Sequence, residues 1–333
     1  MFSQTPEADF RVTYSDEIPS VHIPARLSVL EAVNFKTTCQ ELFSGSTTVP
    51  SKIVLDFSQT TFIDSSGIGA LVSNLKFAKQ RGSDLVLRSL KPQVMAVFAL
   101  TSLDQVLTIE QPSATSTPTK TLSSDNQLPM THPSMQSWVK RLIDIVGAIV
   151  GLMITGILLV PIAAAITLND PGPIFFGQTR CGLMGRQFRI WKFRSMYTNA
   201  ESMKAQITNQ ASGAFFKNDN DPRITKVGRI LRKTSLDELP QFWNVLKGEM
   251  SLVGTRPPTP DEVERYEVPQ WQRLDVKPGM TGEWQVNGRS KVRDFEDVIR
   301  LDLKYQHNWS LMYDLKLIVK TVTVLFNKNS GAV

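Results

Sequence analysis

The chain has 333 residues, which is enough for about two domains, and a formal net charge of +6. Its two cysteines and three histidines are scattered, which excludes a metal site or proton relay built on them and favours a reducing compartment. Residues 1–110 carry 9 Lys+Arg against 11 Asp+Glu and residues 137–333 carry 27 against 19, so the basic part suits phosphate-bearing molecules, anionic lipid or nucleic acid.

The N-terminal part alternates short strand patterns with helical ones, which predicts a small α/β domain over residues 1–110. The predicted strands cover residues 10–18, 20–24, 52–57, 84–87 and 106–109, and the predicted helices cover residues 29–43, 66–80 and 92–100. We expect no secretory signal, because no apolar core follows a basic start in this region.

A serine-rich junction, FIDSSGIG, joins a predicted strand to a predicted helix at residues 62–69. Asp64, Ser65 and Ser66 are all residue types that cap helices. With this motif, residues 52–110 resemble the STAS family, the anti-sigma-factor-antagonist domains. The resemblance implies phosphorylation by a partner kinase at Ser65, or else at Ser66, where the helix N–H groups favour negative charge. It also allows a domain that only docks, either on a protein partner or on a second copy.

Two segments separate this domain from the basic part. Residues 111–136 are rich in Ser, Thr and Pro and have no hydrophobic period, which predicts a flexible linker. Residues 142–168 are apolar apart from Asp144 and are long enough to cross a bilayer.

The apolar segment has basic residues at both ends, which are Lys140, Arg141, Arg180, Arg186, Arg189, Lys192 and Arg194. Because positive residues mark the cytoplasmic side, both ends are predicted to lie there. Pro161 removes a backbone hydrogen bond and clashes with the preceding turn, so it can bend the helix. We therefore favour a re-entrant hairpin over residues 142–168. A straight span remains the alternative, since spanning helices also tolerate proline.

An acidic pair in a basic setting lies in the stretch SLDELPQFWN, residues 235–244. Nearby cations favour ionised carboxylates, so Asp237 and Glu238 could act as a nucleophile, as metal ligands or as both. Ser235-x-x-Glu238 also matches a helix capping box. This stretch alone leaves both interpretations open.

Longer motifs surround this stretch in a fixed order. KRLIDIV, DPGPIFF and FRIWKFRSM are followed by DPRITKVGRILRKTSLDELPQFWNVLKGEMSLVGTRP and by KPGMTGEWQVNGRS. With them, residues 137–333 resemble the bacterial sugar transferases, the monotopic polyprenyl-phosphate phosphoglycosyl transferases. The resemblance implies a membrane-associated α/β catalytic domain with a re-entrant membrane helix and amphipathic interfacial helices. This chain keeps the proline of the family's usual Ser-Pro break but has Val160 before it, and it has Thr255 where the family commonly has proline.

The resemblance implies transfer of a phosphosugar from a UDP-sugar to polyprenyl (undecaprenyl) phosphate with release of UMP, as the first membrane step of exopolysaccharide assembly. Asp237 would form a covalent aspartyl-phosphosugar, and Glu238 would help it to hold Mg²⁺. The residues expected to bind substrate phosphates are basic, and they are Lys192, Arg194, Arg232, Arg256 and Arg289. The expected location is the cytoplasmic face of a bacterial inner membrane, with membrane lipids but no nucleic acid as partners.

Two other functions stay open. Asp219 and Asp221 form a D-x-D pattern, which metal-dependent glycosyltransferases use to hold a nucleotide diphosphate; such an enzyme releases UDP instead of UMP. The Asp221–Pro222 pair also reads as a turn. Alternatively, the protein is a membrane-tethered STAS scaffold without activity.

Two helices are predicted near the end of the basic part, over residues 296–304 and 314–326. In the second, Leu315, Val319 and Val322 share a side with Ile318 and Phe326, and lysines lie towards another. This pattern fits either core packing or a helix at a bilayer surface.

Overall fold

A computed structural model describes residues 10–15, 18–44, 50–110, 132–203, 207, 209–210, 218, 220–287, 292 and 294–326. The chain divides into two units. The first unit comprises Met1–Thr131 together with Tyr266–Asp275, and the second comprises His132–Arg265 together with Val276–Val333.

The first unit is built on a five-stranded sheet in the order β1-β2-β4-β6-β7. The strands of this unit are β1 (Val12–Ser15), β2 (Ile18–His22), β3 (Arg26–Leu27), β4 (Lys52–Asp56), β5 (Phe62–Ile63), β6 (Asp84–Arg88) and β7 (Thr108–Glu110), and its α-helices are α1 (Val29–Ser44), α2 (Ser65–Gln80) and α3 (Pro92–Thr101). Strands β3 and β5 pair in a separate two-stranded sheet. Strand β1 is antiparallel to β2, whereas the other neighbours in this sheet are parallel. Parallel neighbours need crossover connections, which the three helices provide.

The predicted α/β character of this domain is confirmed, and most element positions agree with the prediction. The single strand predicted over residues 10–18 is wrong, because the chain forms β1 there and Ile18 already begins β2. The helix over residues 29–43 is predicted from a spacing that includes Leu30 and Val33, but in α1 both are exposed; the buried face consists of Ala32, Phe35, Cys39 and Phe43. Both faces of α1 carry apolar residues, so periodicity alone could not select the buried one.

The second unit is organised around α4 (Trp138–Asn169), a helix of 32 residues. The other α-helices are α5 (Ala200–Met203), α6 (Lys226–Lys233), α7 (Phe242–Lys247), α8 (Pro260–Val263), α9 (Glu283–Asn287), α10 (Phe295–His307) and α11 (Leu311–Phe326). The strands are β8 (Phe175–Cys181), β9 (Gln187–Phe193), β10 (Ser251–Val253) and β11 (Gly279–Thr281). Strands β8 and β9 form an antiparallel pair, and β10 and β11 a parallel one.

One face of α4 packs against the rest of the second unit. Ala148 shares a core cluster with Phe188 and Val245, and Ile162 shares another with Phe193. Most of the remaining helix surface is apolar and exposed, as at Leu142, Val146, Ile149, Val150, Met153, Ile154, Ile157 and Val160. Among the described residues, α4 is the helix with the length and composition to cross a membrane. Pro161 lies inside this helix, which continues through it.

The charged residues of α4 face the folded domain. Asp144 is buried and accepts hydrogen bonds from Ser251 Oγ and the Leu252 N–H, each at 2.9 Å. Lys140 is also buried and donates to Asp314 Oδ2 at 2.6 Å. Because buried charges need partners, these contacts explain why the apolar segment contains an aspartate. They leave the exposed face of the helix free of charge.

The predicted linker, residues 111–136, lies outside the described residues as far as residue 131. Its last residues are not linker as predicted, because they form a 3₁₀ turn over Pro133–Met135. His132 Nε2 lies 2.9 Å from the Gln306 carbonyl oxygen, which ties this turn to α10.

Helix α11 leaves apolar residues exposed. Leu315, Val319 and Val322 are 42%, 66% and 50% exposed, while Leu317 on the other side is buried. Core packing, one of the two interpretations of this helix, is therefore wrong for these three residues.

Candidate active site

The acidic pair lies where the chain turns sharply after α6. Ser235 has left-handed backbone geometry, with φ of 55°, and starts the 3₁₀ helix Leu236–Gln241. Its side chain makes no capping hydrogen bond. The capping-box interpretation of Ser235 and Glu238 is therefore wrong, because a left-handed Ser235 does not aim its hydroxyl at the following N–H groups. The turn instead buries Asp237, which is 5% exposed.

Glu238 forms an ion pair with Lys192 of β9. Lys192 Nζ donates to Glu238 Oε1 at 2.9 Å, and the two side chains are 27% and 29% exposed. The 3₁₀ helix that carries Glu238 packs directly on β9. Packing thus fixes the backbone elements that carry the pair, while both side chains are still reachable from solvent.

Asn244, at the end of the same stretch, fastens it to β9. Its Oδ1 accepts from the Trp191 N–H at 3.2 Å, and its Nδ2 donates to the Arg189 carbonyl oxygen at 2.7 Å and to Glu249 at 2.7 Å. The side chain is fully buried. The sequence predicts no role for Asn244, because a buried amide has no chemical signature in the sequence. These bonds fix the backbone of β9 immediately before Lys192.

Arg232 interacts electrostatically with Asp237. Burial lowers the pKa of Arg232, and the carboxylates of Asp237 and Asp221 oppose this by favouring the charged guanidinium. Its Nε donates to Ser195 Oγ at 2.9 Å, which orients the side chain. Arginine remains protonated in proteins, so Asp237 shares its surroundings with a fixed positive charge.

A second cationic group contains Arg256, which was predicted, and Arg180, which was not. Arg256 donates to both oxygens of Glu262, at 2.7 and 3.0 Å, and lies 5.7 Å from the Trp284 ring centre. Burial, and after it the neighbouring Arg256, lower the pKa of Arg180 to about 10, while Glu262 and Glu238 act in the opposite direction. Arg180 therefore lies within electrostatic reach of the acidic pair. From the sequence it counted only as a basic flank of the apolar segment.

Arg194 has a structural partner. It is 6% exposed, donates to the Asp170 carbonyl oxygen and lies 3.5 Å from Asp170 Oδ2, so it joins the end of β9 to the end of α4. Its predicted role in binding substrate stays a prediction. Arg289 lies outside the described residues.

The D-x-D pattern of the alternative function is only partly described. Asp219 lies outside the described residues. Asp221 is buried and receives hydrogen bonds from Arg223 Nε at 2.9 Å and Nη2 at 2.7 Å. Burial raises the pKa of Asp221, but the bonds from Arg223 outweigh it and lower the pKa overall. This ion pair already satisfies the carboxylate that the pattern would use for metal binding.

Mg²⁺ is the metal that the resemblance implies. Among the described residues no group of three or more His, Cys, Asp or Glu is arranged to hold a metal. Mg²⁺ is often bound by one or two carboxylates together with substrate phosphates and water. The adjacent carboxylates of Asp237 and Glu238 fit that mode.

Ser65, the predicted phosphorylation site, begins α2 in the first unit. Asp64 caps this helix by accepting from the Gly67 N–H at 2.9 Å. Ser65 is fully buried, and its hydroxyl lies 2.6 Å from Asp275 Oδ1.

Sequence profiles match both parts of the chain. The profile of the bacterial sugar transferase family matches residues 135–328, and that of the STAS domain matches residues 10–115. The anti-sigma factor antagonist SpoIIAA, solved in its unphosphorylated form, is 16% identical; the match covers 31% of this chain and 89% of that chain, with a TM-score of 0.26.

Three curated relatives match the second part. The galactosyl transferase CpsE of Streptococcus agalactiae is 52% identical over 188 residues, covering 56% of this chain and 42% of that protein. An undecaprenyl-phosphate galactose phosphotransferase of Salmonella typhimurium is 44% identical over 200 residues, covering 58% and 42%. The exopolysaccharide production protein ExoY of Rhizobium meliloti is 39% identical over 189 residues, covering 55% and 83%.

The chain thus spans less than half the length of the first two relatives. The sugar transferase match nevertheless extends over more than half of this chain and includes the acidic pair, Lys192, Arg232 and Arg256. The chain belongs to the bacterial sugar transferase family and carries a STAS domain before the transferase region.

Proposed function

We propose that the protein transfers a phosphosugar from a UDP-sugar to undecaprenyl phosphate, releasing UMP. The observation that carries the proposal is the buried Asp237 next to the Glu238–Lys192 ion pair, with Arg232 close by. Both substrates are polyanions, so a carboxylate can approach phosphorus only where cations offset the negative charge. The site combines such a carboxylate with such cations.

In the first step an oxygen of the Asp237 carboxylate attacks the phosphorus that bears the sugar. The bond from this phosphorus to the bridging oxygen breaks, and UMP leaves with that oxygen and its electron pair. The product is an acyl phosphate between Asp237 and the sugar. In the second step an oxygen of undecaprenyl phosphate attacks the same phosphorus. The carboxylate of Asp237 is released, and undecaprenyl-diphosphate sugar is formed.

The basic residues around Asp237 compensate the negative charge of the substrate phosphates. Lys192 holds Glu238 through this ion pair and can turn to a substrate phosphate, because the pair is partly exposed. Arg232 places a positive charge in the surroundings of Asp237, which offsets the negative charge of an approaching phosphate. Arg256 and Arg180 are electrostatic neighbours of each other, and Arg180 also of Glu238, so both suit the remaining phosphate of the nucleotide. Bound Mg²⁺ would neutralise phosphate charge beside Asp237 and Glu238.

The acceptor is a lipid, so the site has to work at a membrane. The exposed apolar surface of α4 supports insertion into a bilayer, and the apolar face of α11 beside Lys316 and Lys320 supports contact with its surface. We infer a re-entrant α4 bent at Pro161, which keeps both flanking basic segments on the cytoplasmic face of the inner membrane. The two galactose-related names among the relatives make UDP-galactose the first donor to test.

The deciding experiment incubates purified full-length protein with UDP-galactose and other UDP-sugars, Mg²⁺ and undecaprenyl phosphate. UMP release is the expected result. Release of UDP would favour the glycosyltransferase alternative, and absence of turnover with every donor would favour the scaffold. Intact-protein mass spectrometry without the lipid should detect one phosphosugar adduct in the wild type and none in Asp237→Asn. An adduct that persists in Asp237→Asn would rule out this nucleophile.

A further inference from the structure

The segment Tyr266–Asp275 interrupts the transferase region but folds with the STAS domain. The residues before and after it belong to the second unit, whereas the segment belongs to the first. It forms the 3₁₀ helix Val268–Leu274, which packs against α1 and α2. Its apolar residues Val268, Trp271 and Leu274 are all buried. A short segment that buries three large apolar side chains makes a specific interface.

The side chain of Trp271 packs against Gly69 of α2. A Cβ atom at Gly69 would lie 2.5–2.6 Å from three atoms of the Trp271 ring, and these are its three nearest neighbours. The indole therefore lies directly on the helix backbone, where even a methyl group does not fit. Lys36 of α1 adds an ion pair to Glu267 at 3.3 Å.

Ser65 binds the other end of the segment. Its N–H donates to Asp275 Oδ1 at 3.0 Å, and its hydroxyl lies 2.6 Å from both Asp275 Oδ1 and the Trp271 carbonyl oxygen. Both partners are acceptors when Asp275 is ionised, so the single hydroxyl proton serves two oxygens. The start of α2 thus recognises the end of the segment through one serine.

This contact tolerates little negative charge. Burial raises the pKa of Asp275 to about 7, and neighbouring Asp64 contributes to the increase. Burial likewise raises the pKa of Asp64 to about 6, with Glu31 adding to the shift and Arg26 opposing it. A phosphate on Ser65 would place further acceptor oxygens against Asp275 and the Trp271 carbonyl. The fully buried Ser65 also leaves no space for it.

We propose that the STAS domain docks on its own chain, with the segment Tyr266–Asp275 as its ligand, and that negative charge on Ser65 releases this segment. Because Ser65 is fully buried against the docked segment, a negative charge introduced there favours the undocked state. The inference is independent of the proposed transferase activity.

Trypsin provides a test on the full-length protein in detergent. Arg273 is fully buried in the docked segment, so cleavage after it reports undocking. Ser65→Asp and Gly69→Ala should each raise the cleavage rate by about tenfold or more, since proteolysis follows the population of the open state. Lys79→Ala, on the exposed side of the same helix, is the matched control and should cleave at the wild-type rate.

Hydrogen exchange of β4 and β6 shows whether each variant keeps its STAS fold. If Ser65→Asp lowers this protection, its cleavage rate no longer reports docking, and the Gly69→Ala variant is used instead. Trp271→Ala provides a third variant, altered in the segment alone. Wild-type cleavage after Arg273 in these variants would overturn the proposal. Cleavage that is independent of protein concentration supports docking within one chain. Protection that falls on dilution would identify a second copy as the partner and contradict the proposal.

Discussion

Lys192 donates a hydrogen bond of 2.9 Å to Glu238, although the two residues are 46 positions apart in the sequence. The acidic pair is therefore asymmetric: Glu238 pairs with a partly exposed lysine, whereas Asp237 is buried in the field of Arg232. An exposed ion pair contributes little stability and exchanges readily. Glu238 is thus suited to rearrange when phosphates bind, and Asp237 to stay fixed as the nucleophile.

The first prediction concerns the Lys192–Glu238 pair. Lys192→Met should lower kcat/KM by about 100-fold, the usual effect of removing one group that stabilises charge in a transition state. Glu238→Gln should also impair turnover. Since the two residues contact each other, the double variant should lose less than the product of the single losses. UMP release by the four proteins measures this coupling. Strictly multiplicative losses would mean that the two residues act separately.

The second prediction concerns Asn244. Asn244→Ala should reduce the free energy of unfolding by about 1–3 kcal/mol, because it leaves buried groups of β9 without their hydrogen bonds. It should also reduce turnover, since Lys192 then loses its fixed position. Asn308→Ala is the control of the same residue type, because Asn308 is exposed and bonds only within its own helix end. Thermal denaturation and UMP release test both effects. Equal stability of the two variants would contradict the role assigned to Asn244.

Local patterns predicted the STAS fold well because each of its strands and helices has a short stretch of apolar residues with a recognisable spacing. The strand at residues 52–57 and the helix at residues 66–80 agree with β4 and α2 within one residue at each end. Their apolar spacing and flanking turn residues are local properties of the chain. The basic setting drew attention to Asp237 and Glu238, but only the longer motifs favoured catalysis by this pair and Lys192, since each alone is an ordinary surface residue type.

The remaining features depend on contacts between distant parts of the chain. No local rule assigns left-handed geometry to Ser235, which removes the capping box that its sequence suggests. Arg180 acquires a role only because β8 brings it within reach of Arg256 and Glu238. Trp271 has no neighbour in sequence that indicates its contact with Gly69. Such relationships are set by tertiary packing, which a single sequence does not display.

The third prediction concerns the topology of α4. Cysteines introduced at Gln136 and Arg186, exposed positions on either side of the helix, should both react with a membrane-impermeant label from the cytoplasmic side only. The native Cys39 and Cys181 are buried and provide a low background. Pro161→Leu should abolish the bend proposed at this position and move part of the population to a spanning topology. In the protein that keeps Pro161, labelling of either introduced cysteine from outside would show that α4 spans the membrane.

The fourth prediction concerns the STAS domain as a separable part. Deleting residues 1–130 should leave substantial UDP-sugar turnover, because the acidic pair and its cations all lie in the second unit. A relative of which 83% is covered by the match supports this, since little of its length lies outside the shared region. The truncated protein should also be cut rapidly after Arg273. A folded but inactive truncation would show that the STAS domain completes the site.

The last prediction concerns the pH dependence of docking at Ser65. Burial and Asp64 raise the pKa of Asp275 to about 7, from an ordinary value near 3.8 in the released segment. The docked state therefore binds the proton more tightly. Docking is strongest below about pH 4, weakens by up to about tenfold per pH unit as the pH rises towards 7, and then becomes constant.

Hydrogen exchange of the segment, corrected for the intrinsic exchange rate at each pH, measures this dependence. Asp275→Asn keeps a neutral side chain at every pH, so it should retain protection at pH 8 and lose most of the slope. A smaller slope should remain, because the pKa of Asp64 is also raised, to about 6. Glu267→Gln changes an exposed carboxylate of the same segment and should leave the slope intact. An unchanged slope in Asp275→Asn would show that another group controls docking, and the role given to Asp275 would be wrong.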